Sequence, residues 1–358
     1  MQLPPELWPT VCRLAGVGEW PPREPAARDA FFNFAIRDGL FPLLMADADV
    51  PPETEEWKPR FRALQSLYRK RYAQSRFTAQ QVAAVLGPND VLFEKGADYR
   101  HRVYASPELR PMQDIDVLLP LRSVASVAAQ FAAAGHRRVY SAHGKNFAPS
   151  AYELAFVVDG ALVEVHRSIG LPIRARIDYA GLWQRRQRFE ADGVQGCRLA
   201  PADAILADAY NLAKDEFSVP LIRLVDLHHL LMLHAAELPL CVARAKAWGI
   251  ECALFGALHL VMTIFTASAT PAIREAVSQL LTPARRAAVA RLLPDPRGEA
   301  AGHTKGRAMQ VWRKFGLIDQ PWRRGAFAMS YATRTAAGWA QEWRLRRTGA
   351  FAALPAID

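Results

Sequence analysis

The sequence predicts a mixed α/β protein of the α+β kind, with a small mixed β-sheet core set between helical N-terminal and C-terminal regions. Three observations predict it. Short β-type runs broken by turn signals are confined to the middle of the chain, and both flanks carry apolar residues at helical spacing. One β-hairpin is legible residue by residue between Tyr152 and His166. The expected bounds are a helical region at 1–88, an α/β core at 89–200, and a helical region ending in a basic, Arg/Trp-rich tail at 201–358.

The first region is punctuated by Pro21-Pro22, Pro51-Pro52 and Pro59, after which Arg60 to Leu86 places Phe61, Leu64, Leu67, Tyr68 and Tyr72 on a helical stripe. Asn89-Asp90 signals a turn, and Val91-Leu92-Phe93 is a short strand ending at Lys95-Gly96, followed by a polar loop containing Pro107. Asp114 to Leu119 reads as a buried strand stopped by Pro120. Ser123 to Ala134 reads as a helix closed by Gly135, and Arg137 to Ser141 as a further strand. Tyr152–Val158 and Ala161–His166 are two β-runs joined by Asp159-Gly160, a two-residue hairpin turn. From Pro201 the pattern returns to Leu- and Ala-rich helix. The uncharged stretch from Cys252 to Thr270 is diluted by His259, Gly256, threonines and a serine, which predicts a buried core helix rather than a membrane span.

Composition narrows the function classes. With 51% hydrophobic and 22% charged residues in 358, the chain is neither disordered nor fibrous. The four cysteines (Cys12, Cys197, Cys241, Cys252) form no CxxC pair, which excludes a disulfide framework and a zinc site of ordinary spacing. Met1 to Glu6 lacks the basic and apolar segments of a signal peptide, so a cytoplasmic location is expected. There is no GxSxG elbow, no GxGxxG and no Walker A motif. His228 and His229 are neighbours pointing about 100° apart on a helix, so they and His234 do not make a metal site.

The net charge of +10 is uneven. Residues 301–350 hold ten basic side chains (Lys305, Arg307, Arg313, Lys314, Arg323, Arg324, Arg334, Arg344, Arg346, Arg347) against Asp319 and Glu342, interleaved with Trp312, Trp322, Trp339 and Trp343. That mixture suits an anionic partner such as nucleic acid, a phosphorylated ligand, an acidic peptide or a lipid surface. The competing reading is a solvated helical face with tryptophans packed beneath it.

The chemistry concentrates in the middle region. Alternation on a strand puts Asp114 and Asp116 on one face and Ile115, Val117 and Leu119 on the other. Two carboxylates side by side repel, and a divalent cation removes that penalty, with oxygen ligands favouring Mg²⁺ or Mn²⁺. Glu164 and His166 share a face of the hairpin. If that strand neighbours the Asp114 strand, Glu164 becomes the third carboxylate. Metals so held activate an attacking oxygen and neutralise a leaving pyrophosphate. Lys95 offers a point charge to phosphate, Gly96 a close backbone approach, and Arg110 a second phosphate clamp. The two-residue turn sets Glu153 across from His166, either as a partner that tunes the imidazole or orients an acceptor hydroxyl, or as a plain cross-strand polar pair.

The runs Phe93-Glu94-Lys95-Gly96-Ala97, Leu109-Arg110-Pro111-Met112-Gln113-Asp114-Ile115-Asp116-Val117-Leu118-Leu119 and Val163-Glu164-Val165-His166 resemble the uncharacterised nucleotidyltransferase family of the DNA polymerase β-like superfold. The resemblance covers about residues 30–270 in layout and 90–170 in motif. It implies a nucleotidyltransferase core in which Asp114, Asp116 and Glu164 are catalytic and hold Mg²⁺, with Lys95 and Gly96 on the nucleotide phosphates. The wider superfold carries a Gly-Ser pair where this chain has Gly96-Ala97, so Lys95 stands in for the missing hydroxyl. Leu221-Ile222-Arg223-Leu224-Val225-Asp226-Leu227 resembles the family's R-L-x-D-L helix, where Arg223 either contacts nucleotide or pairs with Asp226. The implied function is metal-dependent transfer of a nucleotidyl group from a nucleoside triphosphate such as ATP to a small-molecule or peptide acceptor in a biosynthetic pathway. The alternatives are an RNA- or tRNA-modifying nucleotidyltransferase that uses the basic tail, and a non-catalytic nucleotide-binding protein.

Overall fold

In the computed structural model, residues 7–15, 17, 21–22, 24–47, 58–120, 124–139, 153–170, 173–294, 313–330 and 333 are described. The strands are β1 (Leu92–Phe93), β2 (Asp114–Leu118), β3 (Arg137–Val139), β4 (Glu153–Val158), β5 (Ala161–His166), β6 (Gln187–Ala191) and β7 (Val194–Arg198). They join into one mixed sheet in the order β3-β4-β5-β2-β1-β7-β6. β2 pairs parallel with β5, and β1 pairs parallel with β7; the other pairings are antiparallel. The β4–β5 hairpin closes as the sequence predicts. Asp159 (φ 49°) and Gly160 (φ 79°) are both left-handed, as the tight turn between right-twisting strands requires.

Helices surround this sheet. Before it come α1 (Leu7–Ala15), α2 (Pro25–Arg37), α3 (Phe41–Ala46) and the long α4 (Lys58–Leu86). Within it lie α5 (Lys95–Arg102), α6 (Val124–Ala133) and α7 (Tyr179–Arg185). After it come α8 (Pro201–Lys214), α9 (Leu221–Leu233), α10 (Leu238–Trp248), α11 (Glu251–Ile264), α12 (Pro271–Gln279) and α13 (Pro283–Leu292). The fold is mixed α/β, as expected.

Strand alternation decides which face meets which helices. Ile115 and Val117 of β2, with Val163 and Val165 of β5, pack on Val82, Ala83 and Leu86 of α4 and on Val127 and Phe131 of α6. On the opposite face, Leu92 and Leu118 join the larger core built with α1, α2 and α8–α11. Asp114 and Asp116 share the Leu118 face, so the carboxylates lie on the side of the sheet that carries this larger core.

α8 is the centre of that core, with every residue from Ala202 to Ala213 buried. Its acidic residues are therefore paired: Asp203 accepts from Arg185 Nε and Arg244 Nη1, each at 2.8 Å. α11 is likewise apolar nearly all round and buried, and among the described residues no helix is long and apolar enough to cross a membrane. The Cys252–Thr270 stretch is a core helix followed by a 3₁₀ turn at Thr266–Ser268.

Two local expectations change. Residues after Gly96 form helix α5 and not a loop, because Asp98, Arg100 and Arg102 are charged residues buried as partners. The Arg102 Nη2–Asp98 Oδ2 ion pair at 2.7 Å closes one helical turn. Polar composition conceals such a helix. β6 and β7 form a second hairpin through Asp192-Gly193, a turn signal that the sequence also carries. The expected strand at 137–141 is described as far as Val139, and Tyr140 and Ser141 lie outside the described residues.

The described part of the C-terminal tail is docked on the helical core. Asp319 carboxylate oxygens accept from the Glu251 and Cys252 amides at 2.5 and 2.9 Å, capping α11. Lys314 pairs with Glu216 at 3.1 Å, Arg323 Nε donates to Gln320 Oε1 at 2.7 Å, and Arg324 Nε donates to the Ile318 carbonyl at 2.8 Å. Trp322 is 63% exposed rather than packed beneath the charges. Lys305, Arg307, Arg334, Arg344, Arg346, Arg347, Trp312, Trp339 and Trp343 lie outside the described residues.

Candidate active site

The parallel register sets Asp116 opposite Glu164, Leu118 opposite His166 and Asp114 opposite Leu162. Asp116, Glu164 and His166 therefore converge on one face. One donor atom from each lies within 4.8 Å of the others. Asp116 and His166 are buried, and the Glu164 side chain is 25% exposed.

An ammonium and an imidazole meet on a single carboxylate oxygen. Asp116 Oδ1 accepts from Lys95 Nζ at 2.5 Å and from His166 Nε2 at 2.8 Å; Glu164 Oε2 lies 3.6 Å from the same ring nitrogen. Burial alone would raise the Asp116 carboxyl. The Lys95 ammonium and the His166 hydrogen bond outweigh burial and hold it well below the usual carboxylate range. Burial opposes charge on Lys95 and His166 as well, and the Asp116 carboxylate outweighs it, raising both. Asp114 is raised, first by burial and then by the neighbouring Asp116 charge.

The sequence expected Asp114, Asp116 and Glu164 as the convergent set. The convergent set is Asp116, Glu164 and His166, with Asp114 one pleat earlier on β2. Asp114 borders a cleft of about 420 Å³ lined also by Met112, Gln113, Leu162, Gly160 and Arg71. The register pairs Glu153 with His166 as the hairpin turn predicts. The Glu153 side chain lies outside the described residues, and the imidazole's partner is Asp116.

Two residues expected to contact phosphate have protein partners. Arg110 is spent on Asp226: Nε lies 2.8 and 2.9 Å from its two carboxylate oxygens and Nη2 lies 2.7 Å from Oδ2, with Tyr104 Oη donating to Oδ1 at 2.6 Å. The Arg110 Nη1 group also donates to the Pro111 carbonyl. Both side chains are buried, so the pair is structural and Arg110 is no free clamp. Arg223 pairs with Asp208 of α8 at 3.1 Å and not with Asp226, which Arg110 has taken. Burial pushes the Asp208 carboxyl up to about 6 against the pull of Arg223. Gly96 is buried, and a Cβ there would lie 3.0 Å from Met112 Cγ and Sδ, so a side chain would fit only if Met112 shifted.

Glu94 is the residue that sequence reasoning passed over. Its amide donates to the Asp116 carbonyl at 3.1 Å, its side chain is buried, and Oε1 has no hydrogen-bond partner among the described residues. Burial raises its carboxyl, and His166 and Lys95 are the charges that pull it back. Its signal is its position immediately after a buried strand and before Lys95.

The donor set suits a divalent cation. Two carboxylates and an imidazole converge, an ammonium already occupies the cationic place beside Asp116, and the buried Glu94 carboxyl next to it has one oxygen, Oε1, without a hydrogen-bond partner among the described residues. No curated protein matches the chain. Residues 24–266, a span that includes every strand, match the family described as uncharacterised nucleotidyltransferase, and the chain belongs to that family.

Proposed function

We propose that the protein transfers a nucleotidyl group from a nucleoside triphosphate to a small-molecule or peptide acceptor. The observation that carries this reading is the convergence of Asp116, Glu164 and His166 on one sheet face with Lys95 bound to the same aspartate. Nucleotidyltransferases generally use a divalent metal and a nucleoside triphosphate; Asp116, Glu164 and His166 would hold Mg²⁺ or Mn²⁺ here, with Asp114 beside them. When bound, the cation neutralises charge on the phosphates and acidifies the acceptor's O–H. The acceptor oxygen attacks the α-phosphorus in line, the bond to the β-phosphate oxygen breaks, and pyrophosphate leaves.

The chain's own groups divide the work. Glu164, the most exposed of the converging three, is placed to accept the acceptor's proton. Lys95, on a flexible stem, is placed to meet phosphate oxygens as a point charge. His166, held by Asp116, fixes the orientation of that carboxylate.

Calorimetric titration of ATP, GTP, CTP and UTP with Mg²⁺ tests the reading on wild type and on Asp114→Asn/Asp116→Asn. Magnesium-dependent binding of at least one nucleotide, weakened in the double variant, is expected. A folded protein that binds none of the four sinks it.

A further inference from the structure

We propose that Lys95 is the built-in counter-cation of Asp116, so that the divalent metal enters this site together with a nucleoside triphosphate and binds poorly alone. The inference rests on the function proposed above and adds the order in which that site fills.

The geometry leaves little alternative for a bare cation. A metal held by Asp116 would share that carboxylate with Lys95 and His166, since Oδ1 already accepts the Lys95 ammonium at 2.5 Å and lies 2.8 Å from the His166 ring nitrogen. A dication on the same oxygen would stand within a few ångströms of an ammonium in a buried, poorly screened setting, where like charges repel strongly. Metal and ammonium therefore exclude one another at Asp116 unless an anion arrives to take the ammonium. A triphosphate is such an anion, and it brings the metal with it.

Three features make Lys95 the mobile partner. Its side chain is 17% exposed, against 6% for Asp116 and 9% for His166, so it is the most exposed of the three. Its ammonium sits on a flexible four-carbon stem, whereas Asp116 and His166 are pinned by adjacent parallel strands. Its backbone is left-handed at φ 49°, a conformation costly for any residue but glycine and common where function constrains the chain. That conformation lies where β1 turns into α5, one residue after Glu94, whose amide donates to the Asp116 carbonyl.

The test is the affinity of Mn²⁺ alone, read by calorimetry and by electron paramagnetic resonance, on wild type, Lys95→Met, Lys95→Gln, Lys95→Arg and Asp116→Asn. The uncharged Lys95 variants keep the same backbone demand, and circular dichroism reports their fold. Each is expected to bind Mn²⁺ about tenfold tighter than wild type, from the removed repulsion. The same variants should bind the Mn²⁺–nucleotide complex about tenfold more weakly, because the phosphate partner is gone. Lys95→Arg should keep the weak bare-metal binding, and Asp116→Asn should abolish it. Equal Mn²⁺ affinity in wild type and both uncharged variants overturns this inference and leaves the transferase reading standing. No Mn²⁺ and no nucleotide binding in any folded variant overturns both.

Discussion

The pair formed by Arg110 and Asp226 separates a structural from a nucleotide-binding role for the RPM segment. The two side chains are 8% and 0% exposed and are joined by three nitrogen–oxygen contacts between 2.7 and 2.9 Å. Solvent screening is therefore slight, and removing one partner strands a charge in the interior. Breaking such a pair costs about 3–5 kcal/mol, a large share of the roughly 5–15 kcal/mol that holds a domain together. For Asp226→Asn the melting temperature should fall by about 6–20 °C, on a scale of about 2–4 °C per kcal/mol. Arg110→Met should fall by a similar amount, and the double variant Arg110→Met/Asp226→Leu should recover part of the loss, because both desolvated charges leave together. Thermal and urea unfolding read this directly, with nucleotide titration on the folded fraction. An Arg110→Met protein of wild-type stability that has lost nucleotide affinity would refute the reasoning and restore Arg110 as a phosphate clamp.

Two further outcomes follow from the same geometry. Asp208, pushed by burial from its ordinary 3.8 up to about 6, holds its proton more tightly in the folded than in the unfolded chain. Its stabilising contribution is therefore complete below about 3.8 and is lost as pH rises through about 6; Asp208→Asn should flatten the pH dependence of the urea midpoint across that window. Gly160 at φ 79° closes the β4–β5 turn, so Gly160→Val should cost about 1–2 kcal/mol in unfolding experiments. That substitution should also weaken metal binding, since this turn sets the register that carries Glu164 and His166; a variant unchanged in both would show that the strands hold register without it.

What was legible in the chain, and what was not, divides along a physical line. The β4–β5 hairpin, the buried β2 strand and the long α4 rest on local patterns, period two with a turn or period 3.6, and these are present in the sequence itself. Asp116 and Glu164 could be brought together by supposing that β5 neighbours β2, and the parallel register does so. Helix α5 and the partners of Arg110 and Arg223 were illegible for one shared reason: buried charge. Asp98, Asp208 and Asp226 are each 2% exposed or less, and a sequence reader places aspartates and arginines at the surface. Nothing local says that Arg110 finds its anion on α9, more than a hundred residues away, or that Arg223 finds its own on α8 and not one turn further along its helix.

The same line explains why the two aspartates of β2 differ although alternation makes them equivalent. Asp116 lies deeper along the strand, beside Glu164, where Lys95 reaches from the start of α5 and His166 from the next pair of β5. The Lys95 ammonium and the His166 hydrogen bond keep it ionised in spite of burial. Asp114 lies one pleat nearer the cleft opposite apolar Leu162, and burial together with the Asp116 charge favours its protonated form. A cation arriving at Asp116 meets an ionised ligand already in place. A DxD pattern records the spacing of such a pair, while the difference between its members is made by residues 95 and 166, which the spacing does not contain.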